Sequence, residues 1–161
     1  MKTLYILRHA KASSHYEDYD DIDRPLKPRG IQDAYTLGGT LKAKGVRIDR
    51  IAVSSAARTL QTASIVVREA CLLFENLRVV PELYLPTESK TLDYLKQLPD
   101  DADTAMVVGH NPDLSYLCQR LTGDHGVELP TCGFVALSIP TDSWSNVGNP
   151  NAKIEYVIFP K

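Results

Sequence analysis

The sequence predicts an α/β protein built on a mostly parallel sheet. Short apolar runs rich in β-branched residues alternate with longer stretches of helical periodicity, the pattern of successive βα units. Six such runs occur, at 3–8, 50–54, 77–80, 104–109, 133–139 and 154–159. The stretches between them carry apolar residues on one face, as helices covering a sheet must.

Thr3 to Arg8 reads as the first strand. Residues 13–25 are polar and acidic, and read as a loop. Residues 29–44 read as a helix with Ile31, Ala34, Gly38 and Leu41 on one face. Gly38-Gly39 weakens that helix, and Gly45 stands where a helix stop belongs. Residues 50–54 form the second strand. Residues 57–74 are expected to form the longest helix, with Leu60, Ala63, Val67, Ala70 and Phe74 at core spacing. Leu77 to Val80 is a short strand stopped by Pro81. Leu92, Leu95 and Leu98 mark a further helix, with Thr87 and Ser89 as candidate caps. Residues 104–109 form the fourth strand. Asn111-Pro112 reads as an N-cap followed by proline at the first helical position. Leu114, Leu117 and Leu121 continue that helix. Gly133 to Ile139 and Ile154 to Phe159 close the sheet across the turn-rich stretch 140–152. No repeat, low-complexity tract or linker divides the chain, so 1–161 is read as one domain.

Hydrophobic residues make up 43% of the chain and charged residues 24%, ordinary values for a soluble globular protein. A net charge of −2 gives no footprint for nucleic acid. No apolar run approaches a membrane span and the N-terminus has no signal-peptide pattern, so a cytoplasmic location is expected. Cys71, Cys118 and Cys132 are far apart and include no C-x-x-C pair. They are expected to be buried thiols rather than a zinc or redox motif.

The chemistry collects at strand ends. Arg8-His9-Ala10 follows the first strand, Ser54-Ser55-Ala56-Ala57-Arg58 the second, and Gly109-His110-Asn111-Pro112 the fourth. Ligands of open α/β sheets bind outside the carboxyl ends of the strands. Two guanidiniums can clamp a phosphoryl group through charge-assisted hydrogen bonds. A neutral imidazole can attack phosphorus, and a second can donate to the developing charge. Ser54 and Ser55 could add hydroxyl donors, and the helix after Pro112 could add backbone N–H groups. Each residue alone has an ordinary structural reading; Arg58 could be a surface charge. Their coincidence on one sheet edge is what points to an anion site.

Arg8-His9-Ala10, Leu26-x-x-x-Gly30, Ser54-Ser55-x-x-Arg58-Thr59-x-Gln61-Thr62-Ala63 and Gly109-His110-Asn111-Pro112 resemble the histidine phosphatase superfamily, that of the phosphoglycerate mutases. The motifs stand in the family's order within residues 3–115. Asp23-Arg24-Pro25-Leu26-x-x-Arg29-Gly30 and the short chain resemble its SixA-type phosphohistidine phosphatase branch. The resemblance implies a three-layer α/β/α sandwich around a six-stranded, mostly parallel sheet with an antiparallel edge. It implies a metal-independent phosphatase with no cofactor, in which His9 is transiently phosphorylated. Arg8, Arg58 and His110 complete the phosphate pocket, with Arg24, Ser54 and Asn111 as further substrate-binding candidates.

The chain departs from the family's pattern in two ways, of which the second bears on substrate. The family's usual Arg-His-Gly is Arg8-His9-Ala10 here, and a small residue is kept. Many members carry a general-acid glutamate at the position of Leu85, and another branch has aspartate where Asn111 stands. An alkoxide leaving group needs a proton, and general acids contribute on the order of 10²–10⁴-fold. The imidazole of a phosphohistidine can carry its proton already. The missing acid therefore favours phosphohistidine in proteins as substrate. A small-molecule phosphomonoesterase, with Glu88, Glu82 or an acidic-loop aspartate as acid, and a non-catalytic phosphate- or phosphoprotein-binding module are the alternatives. Glu17, Asp18, Asp20, Asp21 and Asp23 could equally be a solvated loop or steer a basic partner. His15 and His125 read as surface residues, while Tyr16, Tyr19 and Tyr84 could line the pocket mouth. The oligomeric state is left open, and a monomer is compatible with the sequence.

Overall fold

The computed structural model describes residues 1–14 and 18–161. Strands β1 (Lys2–Arg8), β2 (Arg50–Val53), β3 (Leu77–Val79), β4 (Thr104–Gly109), β5 (Phe134–Ile139) and β6 (Lys153–Ile158) form one sheet in the order β3-β2-β4-β1-β5-β6. The first four are mutually parallel. β5 runs antiparallel to β1, and β6 antiparallel to β5. The helices are α1 (Pro28–Ala43), α2 (Ala57–Glu69), α3 (Glu88–Lys96) and α4 (Asp113–Thr122).

The pleat splits β1 between two cores. Leu4 and Ile6 pack with Leu92 and Leu95 of α3 and Leu114, Leu117 and Leu121 of α4. Tyr5 and Leu7 pack with Leu37 and Leu41 of α1 and Val66 and Val67 of α2. Two helices thus cover each face, giving the three-layer sandwich. Each large aliphatic side chain fully buried this way contributes roughly 1.5–3 kcal/mol. At the edge away from the motifs, Trp144 is wholly buried, and its indole N–H donates to the Ala102 carbonyl at 2.7 Å.

Two glycines permit close approaches. A Cβ on Gly30 would come within 2.2 Å of the Lys11 carbonyl, so α1 can begin directly against the segment after His9. A Cβ on Gly38 would meet the Glu69 Cβ at 2.5 Å, which is how α1 and α2 pack together. Gly38 therefore serves packing rather than weakening the helix.

Several local expectations are corrected. The longest helix is α1, with 16 residues against 13 for α2. α2 stops at Glu69 and the chain turns at Cys71, which has a φ of 57° and is exposed. Ile31 is exposed rather than core, because Leu37 takes the inward position, and Phe74 is exposed because it lies beyond the end of α2. Thr87 rather than Ser89 caps α3, accepting from the Lys90 amide. Asn111 is not the N-cap of α4: the helix begins at Asp113, and the Asn111 side chain reaches forward to Ser115. Burial pushes the thiols of Cys118 and Cys132 up, to about 11 and about 12, so these two are inert as expected.

Candidate active site

β1 and β4 lie side by side, with Arg8 in register with Gly109. The helix after β1 lies on one face of the sheet and the helix after β4 on the other. The chain parts between them, which leaves a crevice at the carboxyl ends of the strands. A cleft of about 350 Å³ there brings together Arg8, His9, Arg24, Arg58, His110 and Asn111. A larger cleft of about 570 Å³ lies between α1 and the end of β6, but no histidine lines it.

His9 is fixed through its main chain. Its N–H donates to the Gly109 carbonyl at 3.1 Å, and its carbonyl accepts from Cys132 at 2.9 Å. The next amide, Ala10, donates to Thr62 Oγ1 at 2.9 Å. The ring Nδ1 lies 2.7 Å from the Ala10 carbonyl. A carbonyl only accepts, so the proton belongs on Nδ1 and Nε2 keeps its lone pair. Burial lowers the His9 pKa to about 4; the Ala10 bond opposes this, while Arg58, Arg8 and Arg24 add to it. The imidazole is therefore neutral at pH 7.

His110 is 2% exposed, with its ring centroid 5.5 Å from that of His9. Its Nε2 lies 2.7 Å from Ser54 Oγ. Ser54 Oγ accepts the Ala56 amide at 3.4 Å and has its hydroxyl proton to give to Nε2. The ring proton then sits on Nδ1. Burial lowers the His110 pKa to about 3, helped by Arg58 and His9. Ser54 thus acts on the site through His110.

Arg58 is 2% exposed, which removes its reading as a surface charge. Its Nη1 donates to the Asp21 carbonyl at 2.7 Å, and its Nη2 pairs with Asp21 Oδ2 at 3.2 Å. Arg8 Nη1 donates to the Leu129 carbonyl at 3.0 Å, and burial lowers the Arg8 pKa against the pull of Glu128. Among the described residues, three buried side-chain polar atoms have no partner: Arg8 Nε, Arg58 Nε and His110 Nδ1. All three belong to this cleft, and buried polar groups are rarely left unpaired. With Ser54 donating to His110 Nε2 all three are donors, a set that suits a tetrahedral oxyanion. No cluster of three or more His, Cys, Asp or Glu side chains among the described residues is arranged to hold a metal ion.

The rest of the motif residues build the frame. Thr59 Oγ1 donates to the Ser54 carbonyl at 2.7 Å, and Gln61 Oε1 accepts from the Leu26 amide at 2.8 Å. Asn111 gives its amide to the Leu129 carbonyl at 3.0 Å and takes the Ser115 amide and hydroxyl on Oδ1. An aspartate there could not donate to Leu129. Asn111 lines the cleft with its side chain engaged in holding it.

Of the acid candidates, Glu82 and Glu88 do not line the cleft. Leu85 does, and is 54% exposed with a φ of 49°. Asp21 is the only carboxylate lining the cleft among the described residues. The sequence did not separate it from its acidic neighbours; its spacing three residues before Arg24 is the one signal that could have done so. Arg24 Nε donates to Asp21 Oδ1 at 3.0 Å and Arg24 Nη1 to the Ser13 carbonyl at 2.8 Å. The Tyr84 hydroxyl donates to Asp21 Oδ2, and its ring stands edge-on to His110. That hydroxyl, more than Arg58 and Arg24, holds the Asp21 carboxyl below its ordinary pKa. His125 is exposed, as is Tyr19. His15, Tyr16 and Glu17 lie outside the described residues.

A family model described as the histidine phosphatase superfamily (branch 1) matches residues 4–83, a stretch that contains His9, Arg24 and Arg58. The chain belongs to the histidine phosphatase superfamily. Its fold is similar to a structure from Nakamurella multipartitia carrying the provisional designation phosphohistidine phosphatase SixA. The TM-score is 0.85 and the identity 28%, over 99% of this chain and 96% of that one. It is also similar to the protein histidine phosphatase SixA complexed with tungstate, with a TM-score of 0.81 and 25% identity over 98% and 96% of the two chains. An uncharacterized protein of Mycobacterium tuberculosis is 31% identical over 135 residues, 84% of this chain and 82% of that protein. This histidine phosphatase is thus of the SixA type in sequence pattern and fold. No helix in it is long and apolar enough to cross a membrane.

Proposed function

We propose that this histidine phosphatase removes the phosphoryl group from phosphohistidine in proteins, through a phosphorylated His9 and with protein groups alone. The observation that carries the reading is that Arg8 Nε, Arg58 Nε and His110 Nδ1, buried and unpartnered, belong to residues that line one cleft with a neutral imidazole. The arginines and His110 would hold the three phosphoryl oxygens. His9 Nε2 would attack phosphorus as the bond from phosphorus to the substrate nitrogen breaks. The departing imidazole takes the bonding pair and keeps the proton on its other nitrogen. Phospho-His9 likewise keeps its Nδ1 proton on the Ala10 carbonyl. Nucleophile and leaving group are the same chemical group, so the transfer is near thermoneutral and needs no acid. Water then attacks phosphorus, the bond to Nε2 breaks, and inorganic phosphate carries away one water proton while the other passes to solvent.

The choice of nitrogen over oxygen rests on the acids. Leu85 cannot donate a proton. Asp21 is ionised with both oxygens engaged, and the Tyr84 proton is committed to Asp21. An ester alkoxide finds no donor among these groups. The chain is short, with 161 residues, and the resemblance implies that it lacks the insertions that cover the site in mutases, which suits a protein-borne group.

Rapid quenching after mixing with a radiolabelled phosphohistidine peptide should trap acid-labile phosphate on His9, and His9→Ala should abolish both trapping and turnover. Full activity in that variant would sink the mechanism. Comparison with sugar and aryl phosphates tests the substrate class, since a strong preference for alkyl esters would overturn the phosphohistidine assignment.

A further inference from the structure

Asp21 is the one carboxylate lining the cleft among the described residues, and the proposed chemistry leaves it without a task. Four donors meet its two oxygens: Arg24 Nε and Nη2 on Oδ1, Arg58 Nη2 and the Tyr84 hydroxyl on Oδ2. A carboxylate loaded this way is neither a good proton donor nor a good base. It does two other things, of opposite sign. It ties Arg24 on the loop to Arg58 on α2, which helps bind a phosphoryl group. It also places a negative charge inside a cleft whose other charged lining residues are Arg8, Lys11, Arg24 and Arg58, which weakens the pull on an anion.

The geometry decides which effect is larger. Arg58 is 2% exposed and donates Nη1 to the Asp21 main-chain carbonyl, a bond that survives any side chain at that position. An asparagine of the same shape keeps one oxygen to accept from Arg24, while its Nδ2 faces the Tyr84 hydroxyl, which can turn to accept, and Arg58 Nη2, which loses that bond. What Asp21→Asn removes is therefore the charge and one side-chain bond to Arg58, while the main-chain bond keeps Arg58 in place. A unit charge sharing a guanidinium with a bound dianion is worth about tenfold or more in affinity, at the effective dielectric of a partly exposed site.

We propose that Asp21 is a built-in counter-ion that limits how tightly the cleft holds a phosphoryl group and so lets inorganic phosphate leave. Without it, three guanidiniums would retain the product, and product release limits turnover in many enzymes. The role rests on the reading of the cleft as a phosphate site.

Isothermal calorimetry of the full chain with tungstate, and separately with inorganic phosphate, tests it without requiring turnover. Asp21→Asn should bind both about tenfold or more tighter than the natural protein, and the inhibition constant for phosphate in a phosphohistidine assay should fall by the same factor. Asp21→Ala, which removes the charge and both acceptor oxygens together, should also bind tighter. Tungstate binding to the natural protein with no gain in either folded variant overturns the counter-ion role alone. Weaker binding in both variants means that positioning dominates, and also overturns it. No oxyanion binding to the natural protein overturns the phosphate-site reading, and the counter-ion role with it.

Discussion

The cleft has two halves of different construction. One half stands on strand ends: Arg8 and His9 after β1, Ser54 and Arg58 after β2, His110 after β4. Its side chains are held by buried backbone, as when His9 is bonded to Gly109 on one side and Cys132 on the other. The other half comes from loops: Asp21, Arg24, Tyr84 and Leu85. It is held by side chains gripping one another around the Asp21 carboxylate, which is itself about one third exposed. The first half holds the proposed nucleophile and the three proposed oxyanion donors on the sheet's own ends. The second can be retuned by single substitutions while the sheet stays intact, so it is where a member of this superfamily can change substrate preference.

The sharpest way to break this contrast is to remove an arginine from each half. Arg58→Ala should lower kcat/KM for a phosphohistidine peptide by about 10²–10³-fold, as for loss of one preorganised donor. Arg24→Ala should cost about tenfold, because Arg24 lines the cleft with its Nε and Nη2 on Asp21 and its Nη1 on the Ser13 carbonyl. Equal losses in steady-state assays would erase the distinction. Leu85→Glu tests the loop half from the other side. It restores a carboxyl at the lip and should raise aryl and alkyl phosphate hydrolysis about tenfold, with little change for phosphohistidine. No gain would mean that position 85 does not reach the leaving group.

A smaller effect is expected at Ser54. Ser54→Ala leaves His110 Nε2 without its partner and frees the ring to hold its proton there, so kcat should fall about tenfold with KM little changed. Ser54→Thr, which keeps the hydroxyl, should recover most of it.

The smallest effect is on pH dependence. The His9 pKa is lowered to about 4, so His9 stays neutral as the pH drops below 6.5, and kcat/KM should not fall with the usual imidazole profile. Stability follows the opposite sense. Between pH 6.5 and about 4 the unfolded chain protonates His9 and His110 while the folded chain does not, so stability falls on acidification. A pH series of Tm should show less acid loss in His9→Ala than in the natural protein; identical slopes would mean that His9 is not buried as a neutral ring.

The same contrast explains what could be read from the sequence. Alternation of apolar strands with amphipathic helices carries the α/β class, and the strand-end rule carries Arg8, His9, Arg58 and His110 to one edge. Family membership agrees with the motifs around them. Asp21 escaped because periodicity says nothing about which of several loop carboxylates turns inward. Asn111 was legible as a cleft residue, but its engagement with Leu129 and Ser115 depends on a partner 18 residues away. The helix from Ala57 was read too long because Leu72 and Phe74 extend the apolar content after the chain has already turned at Cys71.

Trp144 gives all of these variants a common control. It is the sole tryptophan of the chain, wholly buried in the core under α3 and α4, and it does not line the cleft. Its emission should shift to the red when the core opens and stay unchanged when only cleft residues are altered. One intrinsic fluorophore can therefore separate a variant that has lost its chemistry from one that has lost its fold, in the same cuvette and without a label.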